Sequence, residues 1–125
     1  TKDLNDLLTP FFPPTKVNKF LAQVYQAIRI EVNQEMEALK EFLIQTSELI
    51  TKGGKLSLIS YHSLEDRLVK RFIRDGKFSG APEKDFYGNM LVPFKKVGKM
   101  TTPGAAELQK NKRSRSAKLR FGEKL

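Results

Sequence analysis

Cysteine and tryptophan are absent from this chain, and histidine occurs once, at His62. Without cysteine there is no disulfide and no thiolate metal site, which suits a reducing, cytoplasmic setting. A lone histidine excludes a multi-histidine metal centre, so no metal site is expected. No apolar run is long enough to span a bilayer and no secretion signal is visible, so a membrane partner is not expected either. Acidic residues are in deficit: 23 Lys and Arg stand against 14 Asp and Glu, a formal charge of +9 with the excess heaviest toward the C-terminus. That balance favours a polyanionic partner, nucleic acid first. An initiator methionine is lacking too, and Thr1 opens directly on a helix-like run, which reads as a piece cut from a longer protein. With 125 residues, one domain with a modest core is expected.

What is present is organised around Gly53 to Arg74, GGKLSLISYHSLEDRLVKRFIR. Gly53-Gly54 can supply the positive φ that ends a preceding helix. Lys55 to Tyr61 offers Leu56 and Leu58 to one face and Ile59 and Tyr61 to the other, the pattern of an inner strand covered by helices on both sides. Ser63 is placed to cap the next helix, with Asp66 at its third position. Glu65 and Asp66 suit the positive end of that helix; Lys70, Arg71 and Arg74 suit the negative end. Leu64, Leu68 and Phe72, flanked by Val69 and Ile73, form its buried stripe. His62 is therefore expected just beyond the carboxyl end of a strand and against a helix N-terminus, where open α/β sheets bind ligands.

Before this stretch, Thr1 to Leu8 reads as a short helix, stopped by Pro10, Pro13 and Pro14. Val17 to Thr51 is apolar at helical spacing but too long for one helix of a small domain. The cluster Ile28, Ile30, Val32, followed by Asn33, is the cheapest place to break it. Arg29 and Asn33 share a face there, either paired with Glu31, Asn33 or Glu37 or turned to a ligand cleft. After Gly76, Lys77 to Asn89 reads as a surface loop. Met90 to Val97 is strand-like, Thr102-Pro103 opens a short helix through Leu108, and Ser116 to Lys124 is a last strand. Lys112, Arg113, Arg115, Lys118 and Arg120 make a dense basic cluster, a phosphate-contacting patch or a solvated face.

Three segments together carry a resemblance: YQAIRIEVNQEME, GGKLSLISYHSLEDRLVKRFI and NKRSRSAKLRFGEKL. In this order and spacing they resemble the bacterial 16S ribosomal RNA cytosine N4-methyltransferases, which use S-adenosylmethionine. The pattern runs from about Val24 to Leu125, and more faintly back to Thr1. The chain departs from it at Tyr25, Ile28, Tyr61 and Lys112, where the family usually has Phe, Leu, Phe and Pro. The resemblance implies an α/β fold, the C-terminal part of a Rossmann-like class I methyltransferase sheet. That sheet is mixed, with three strands here, and follows helices of the family's helical insert. Residues 1–16 would end the insert and its linker, and residues 17–125 would form the C-terminal half of the methyltransferase domain. The C-terminal strand would lie between Leu56–Tyr61 and Met90–Val97, antiparallel to both.

The family's glycine-rich cofactor turn has no counterpart in these residues. The resemblance thus implies an enzyme that uses S-adenosylmethionine, but a chain that holds none by itself and transfers no methyl group alone. Its substrate would be a cytidine of 16S ribosomal RNA in the small ribosomal subunit. The target amine is a poor nucleophile whose base must leave its stack, so aromatic and polar groups near a dry pocket are needed. Tyr61, His62, Ser63 and Asp66 are the candidates for that chemistry; Arg29, Asn33, Arg67, Arg113, Arg115 and Lys118 are the candidates for RNA contact. A basic RNA- or ribosome-binding module without chemistry of its own is the alternative, and a helical scaffold acting through Val17 to Ile50 is a third. An exposed sheet edge or uncovered helices would favour self-association.

Overall fold

A computed structural model describes residues 1–125, which divide into two compact units, Thr1–Glu37 and Ala38–Leu125. In the first unit, α1 (Lys2–Leu8) has Thr1 as N-cap and runs into a 3₁₀ turn, Thr9–Phe11. Pro10 sits at the start of that turn and Pro14 at the start of a second, Pro14–Lys16, where a missing N–H costs nothing. Then comes α2 (Val17–Val32). Side-chain contacts tie α1 and the prolines to α2: the Tyr25 hydroxyl lies 2.6 Å from Asn5 Oδ1 and 3.2 Å from the Thr1 carbonyl oxygen, and Phe12 stacks on Phe20 with ring centroids 5.0 Å apart. The helical run breaks where its β-branched cluster ends. Asn33 closes α2 by donating its N–H to the Arg29 carbonyl, and Gln34 takes φ 53° before α3 (Glu35–Leu49) begins. Arg29 does not take the partners expected for it. Its Nε and Nη2 donate to the two Glu35 carboxylate oxygens at 2.8 and 3.1 Å, because the turn at Gln34 brings the start of α3 back toward Arg29.

The second unit holds the sheet: β1 (Lys55–Ser60), α4 (Ser63–Asp75), β2 (Phe94–Thr101), α5 (Ala105–Lys110), a 3₁₀ turn at Lys112–Ser116, and β3 (Lys118–Lys124). The strand order is β1-β3-β2, with β3 antiparallel to both neighbours, so β1 and β2 run parallel to each other. The three strands and the helices packed on them make the expected α/β fold. Leu43 of α3, Leu56 of β1, Val69, Phe72 and Ile73 of α4, and Phe94 of β2 form the core, with Leu43 and Phe94 fully buried. Gly122 pairs with Leu56 across the sheet, and a Cβ there would lie 3.3 Å from Phe94 Cβ, so the absence of a side chain lets the Phe94 ring in.

Several sequence expectations shift. Only the α4-facing side of β1 is buried; Ile59 and Tyr61 on the opposite side are 59% and 54% exposed. Strand β1 ends at Ser60, not Tyr61, since Tyr61 and His62 turn their N–H groups to the Glu65 carboxylate. The strand expected from Met90 starts at Phe94, after Pro93. Met90 instead makes an isolated bridge to Lys84, closing a loop in which Asp85 accepts the N–H groups of Tyr87 and Asn89. Helix α5 starts at Ala105 with Gly104 as N-cap, because β2 carries on through Thr101 and Thr102-Pro103 must turn out of it. The last strand starts at Lys118, because Asn111 Oδ1 accepts the Arg113 N–H and winds Lys112–Ser116 into a 3₁₀ turn.

Helix α4 stops at Gly76, whose φ of 69° lies in the left-handed region and whose N–H caps the Phe72 carbonyl. A Cβ at this position would also meet Pro93 Cδ at 3.1 Å and the Leu91 carbonyl oxygen at 3.2 Å. Gly76→Ala is therefore expected to cost about 1–3 kcal/mol, combining the left-handed penalty with the crowding. Urea unfolding checks it; a midpoint unchanged from the wild type would show that the turn relaxes freely.

Candidate functional site

The site is built where β1 hands over to α4. His62 keeps an extended backbone (φ −134°, ψ 164°), and its Nδ1 accepts the Glu65 N–H at 3.4 Å. Glu65 Oε2 reaches back to accept the N–H of Tyr61 at 2.9 Å and of His62 at 3.3 Å, which makes a reciprocal capping box. The cap is thus His62 and not Ser63, which becomes the first helical residue. The imidazole reaches the third helical N–H, the task expected of the Ser63 hydroxyl. An accepting Nδ1 assigns the ring proton of neutral His62 to Nε2. That Nε2 lies 3.2 Å from Glu65 Oε1 without hydrogen-bond geometry, and it is buried with no hydrogen-bond partner. Its nearest acceptor is the Glu65 carboxylate, which it approaches without a hydrogen bond.

Below the turn, the Asp66 carboxylate gathers two cations from β3. Arg120 donates from Nε and Nη2 at 2.7 and 3.1 Å, and Lys118 Nζ approaches at 3.3 Å. The hydrogen bond from Arg120, against the opposing effect of burial, holds the Asp66 carboxyl below its ordinary value of 3.8, with Lys118 adding to the effect. Asp66 is consequently ionised at neutral pH and its lone pairs are occupied. Its role is to bind the first turn of α4 to β3.

A recess of about 380 Å³ opens above this pair, lined by Tyr61, His62, Ser63, Ser116 and Lys118. It brings together three of the sequence candidates for chemistry, Tyr61, His62 and Ser63, with Lys118 from the basic cluster. Asp66 lies beneath, engaged with Lys118. Arg67 is exposed on α4, and Arg113 and Arg115 are exposed on the 3₁₀ turn; none of the three lines the recess. Arg29 and Asn33 belong to the first unit, where both donate to Glu35. Two site residues were not among the sequence candidates. Ser116 lines the recess, and Arg120 anchors Asp66; the alternation of Lys118 and Arg120 on one face of β3, opposite an acidic helix start, is the signal that points to the latter.

Removing the Asp66 charge would strand two cations against α4. A fully buried pair broken in this way loses about 3–5 kcal/mol; since Lys118 is partly exposed, Asp66→Asn is expected to cost about 2–3 kcal/mol at pH 7. The lowered carboxyl pKa makes this stabilisation complete above the ordinary value of 3.8 and removes it as pH falls through the folded-state value. Urea unfolding of wild type and variant across pH 2–7 tests this, and the gap between them should close at the acid end. A gap that stays constant over that range would assign the cost to packing.

The comparisons bear on the whole length of the chain. Residues 1–125 match the MraW methylase family. The chain is 65% identical over 125 residues to the ribosomal RNA small subunit methyltransferase H of Christiangramia forsetii, an alignment covering 100% of this chain and 41% of that protein. Identity to the protein of the same name from Flavobacterium psychrophilum is 60% over 124 residues, covering 99% and 43%. For Cytophaga hutchinsonii it is 53% over 124 residues, covering 99% and 42%. The chain spans about two-fifths of the length of these curated relatives. With the family pattern matched from its first residue to its last, this chain belongs to the MraW methylase family.

Proposed function

We propose that this chain is the C-terminal, substrate-side part of an S-adenosylmethionine-dependent methyltransferase that methylates N4 of a cytidine in 16S ribosomal RNA. The observation that carries the reading is the recess at the carboxyl end of a sheet strand, where the half-exposed ring of Tyr61 stands beside His62, Ser63 and Lys118. The relatives named as small-subunit ribosomal RNA methyltransferases support the substrate class. In this reading Tyr61 stacks on a base taken out of its helix, and His62, whose ring lines the recess, turns its Nε2–H from the Glu65 carboxylate to a base acceptor. Lys118, Arg113 and Arg115 hold the flanking phosphates, and Arg67, Arg29 and Asn33 are further candidates for RNA contact. Residues 1–16 end the inserted helices and residues 17–125 complete the methyltransferase domain, acting on the cytoplasmic ribosome.

The β1–α4 turn does not fit S-adenosylmethionine. Residues Ser60 to Ser63 contain no glycine to admit a ligand close to the backbone. The Tyr61 and His62 N–H groups are already taken by Glu65, whose carboxylate closes the helix N-terminus. The cofactor is accordingly assigned to the rest of the full-length enzyme, and the chain alone is expected to be inactive. A basic ribosome-binding module remains the second reading, favoured by the net charge alone.

The test uses the full-length enzyme acting on 16S ribosomal RNA. His62→Asn keeps a capping acceptor but loses the Nε2 donor, and Tyr61→Ala loses the ring. Each is expected to lower kcat/KM about tenfold or more, on the scale of a base stack of roughly 1–3 kcal/mol, with cofactor affinity unchanged. Tyr61→Phe should restore wild-type rates. Full activity in both damaging variants would overturn the reading.

The same reading places another strand of the whole enzyme beside β1, which pairs only with β3. Leu56 to Ser60 carry neither charge nor proline to blunt that edge. The isolated chain is therefore expected to self-associate, with light scattering showing an apparent mass that falls on dilution. A monomer at every concentration would count against an open edge.

A further inference from the structure

We propose that a second, separate phosphate-binding notch lies between α4 and the bulged end of β2, and that it takes one backbone phosphate stretch of an RNA. The notch, about 100 Å³ in volume, is lined by ten residues, of which five are cations (Lys70 and Arg74 on α4, Lys96 and Lys99 on β2, Arg120 on β3) and none is acidic. Its shape comes from an irregularity in the sheet. Val97 pairs with Phe121 and Thr101 with Leu119, so four steps along β2 answer two along β3, and two extra residues loop out opposite Arg120. Gly98 takes φ 64° at the start of this loop, with open space where a Cβ would be. The bulge carries Lys99 and Met100 over toward Arg120, whose Nη2 lies 3.6 Å from Met100 Sδ. Bulges of this kind re-aim side chains at the edge of a sheet.

The charges in the notch divide into two groups. Arg120 is held by Asp66, and Arg74 is held by both Asp75 carboxylate oxygens at 2.6 Å. Lys70, Lys96 and Lys99 are exposed and make no ion pair. Three uncompensated ammonium groups around a concave, partly apolar surface repel one another, and an anion relieves that repulsion. A tetrahedral phosphate suits such a ring of point charges, and a phosphodiester chain can engage several at once. None of these three lysines lines the Tyr61–His62 recess. The choice of RNA over other polyanions rests on the proposed function; the presence of an anion site does not.

Salt-dependent binding measured on two probes, a 16S ribosomal RNA segment and an oligouridylate, separates the two claims. The triple variant Lys70→Ala, Lys96→Ala, Lys99→Ala should lower the slope of log affinity against log salt by about two for single strands, at roughly 0.7 per lost phosphate contact. A control removing equal charge from exposed positions elsewhere, Lys2→Ala, Lys52→Ala, Lys84→Ala, should change it far less. All six lysines are exposed, so the fold should survive, and circular dichroism verifies that. An unchanged slope in the first variant, an equal loss in the control, or no binding of either RNA to the wild type overturns the notch. A notch-dependent slope on oligouridylate, with the ribosomal segment bound no better, keeps the notch and removes the ribosomal reading.

Discussion

The Asp66 carboxylate is the constraint on which the second unit depends. Helix α4 and strand β3 are far apart in sequence, and the apolar core alone leaves open how the first turn of the helix is set against the strand. Asp66 removes that freedom by accepting two bonds from the planar Arg120 guanidinium, a geometry that tolerates little rotation, with Lys118 alongside. Once the first turn of α4 is fixed, so is the turn before it. His62 and Glu65 cap one another on that turn, and the imidazole face that results opens on Ser116 and Lys118, which belong to the same β3 segment that Asp66 holds. The recess is thus assembled by the interaction beneath it.

Much of this was legible in the sequence, and the part that was not has a common cause. The break after Val32, the helix that follows β1, the loop after Gly76 and the order of the three strands all follow from periodicity, breakers or the family pattern. These are local signals, and local signals set element type. The cap was expected at Ser63 and lies at His62, because imidazole is a rare capping group and propensity favours a hydroxyl. The start of β2 moved from Met90 to Phe94 because Asp85 organises its own turn with Tyr87 and Asn89, a side-chain preference that outweighs the β-propensity of Met90 to Val92. Arg120 escaped notice as an anchor because its partner lies 54 residues away, and the alternation of Lys118 and Arg120 marks a charged strand face without saying which carboxylate it meets.

The exposed side of β1 illustrates a different limit. Leu58 and Ile59 are both apolar, and sequence alone treats them alike. In the fold Leu58 packs against the core while Ile59 is 59% exposed, since α4 covers only one face of the strand. A strand with an apolar residue on each face is written for two covers, and one of them is not supplied by the residues around it. Large apolar side chains exposed on one sheet face, next to a strand edge with no blunting charge, are the pattern that a missing cover leaves.

The positive charge is not one undivided property. Arg120 and Arg74 are committed to Asp66 and Asp75, which are themselves buried; the Arg120 contact holds β3 to α4, and the partly exposed Lys118 stands between Asp66 and the recess. Arg113 and Arg115 on the 3₁₀ turn, and Lys70, Lys96 and Lys99 around the bulge, are exposed and carry no carboxylate. Salt acts unequally on the two groups. At physiological ionic strength the screening length is about 8 Å, which weakens exposed charges far more than a pair shielded from solvent. Raising salt should consequently strip polyanion binding from the surface cations while the Asp66 cluster, and with it the Tyr61–His62 recess, keeps its geometry. Apart from Lys118, the cations that hold the fold and those left exposed are different members of the same basic set, so the protein can be strongly cationic without its structure depending on neutralisation of the exposed ones.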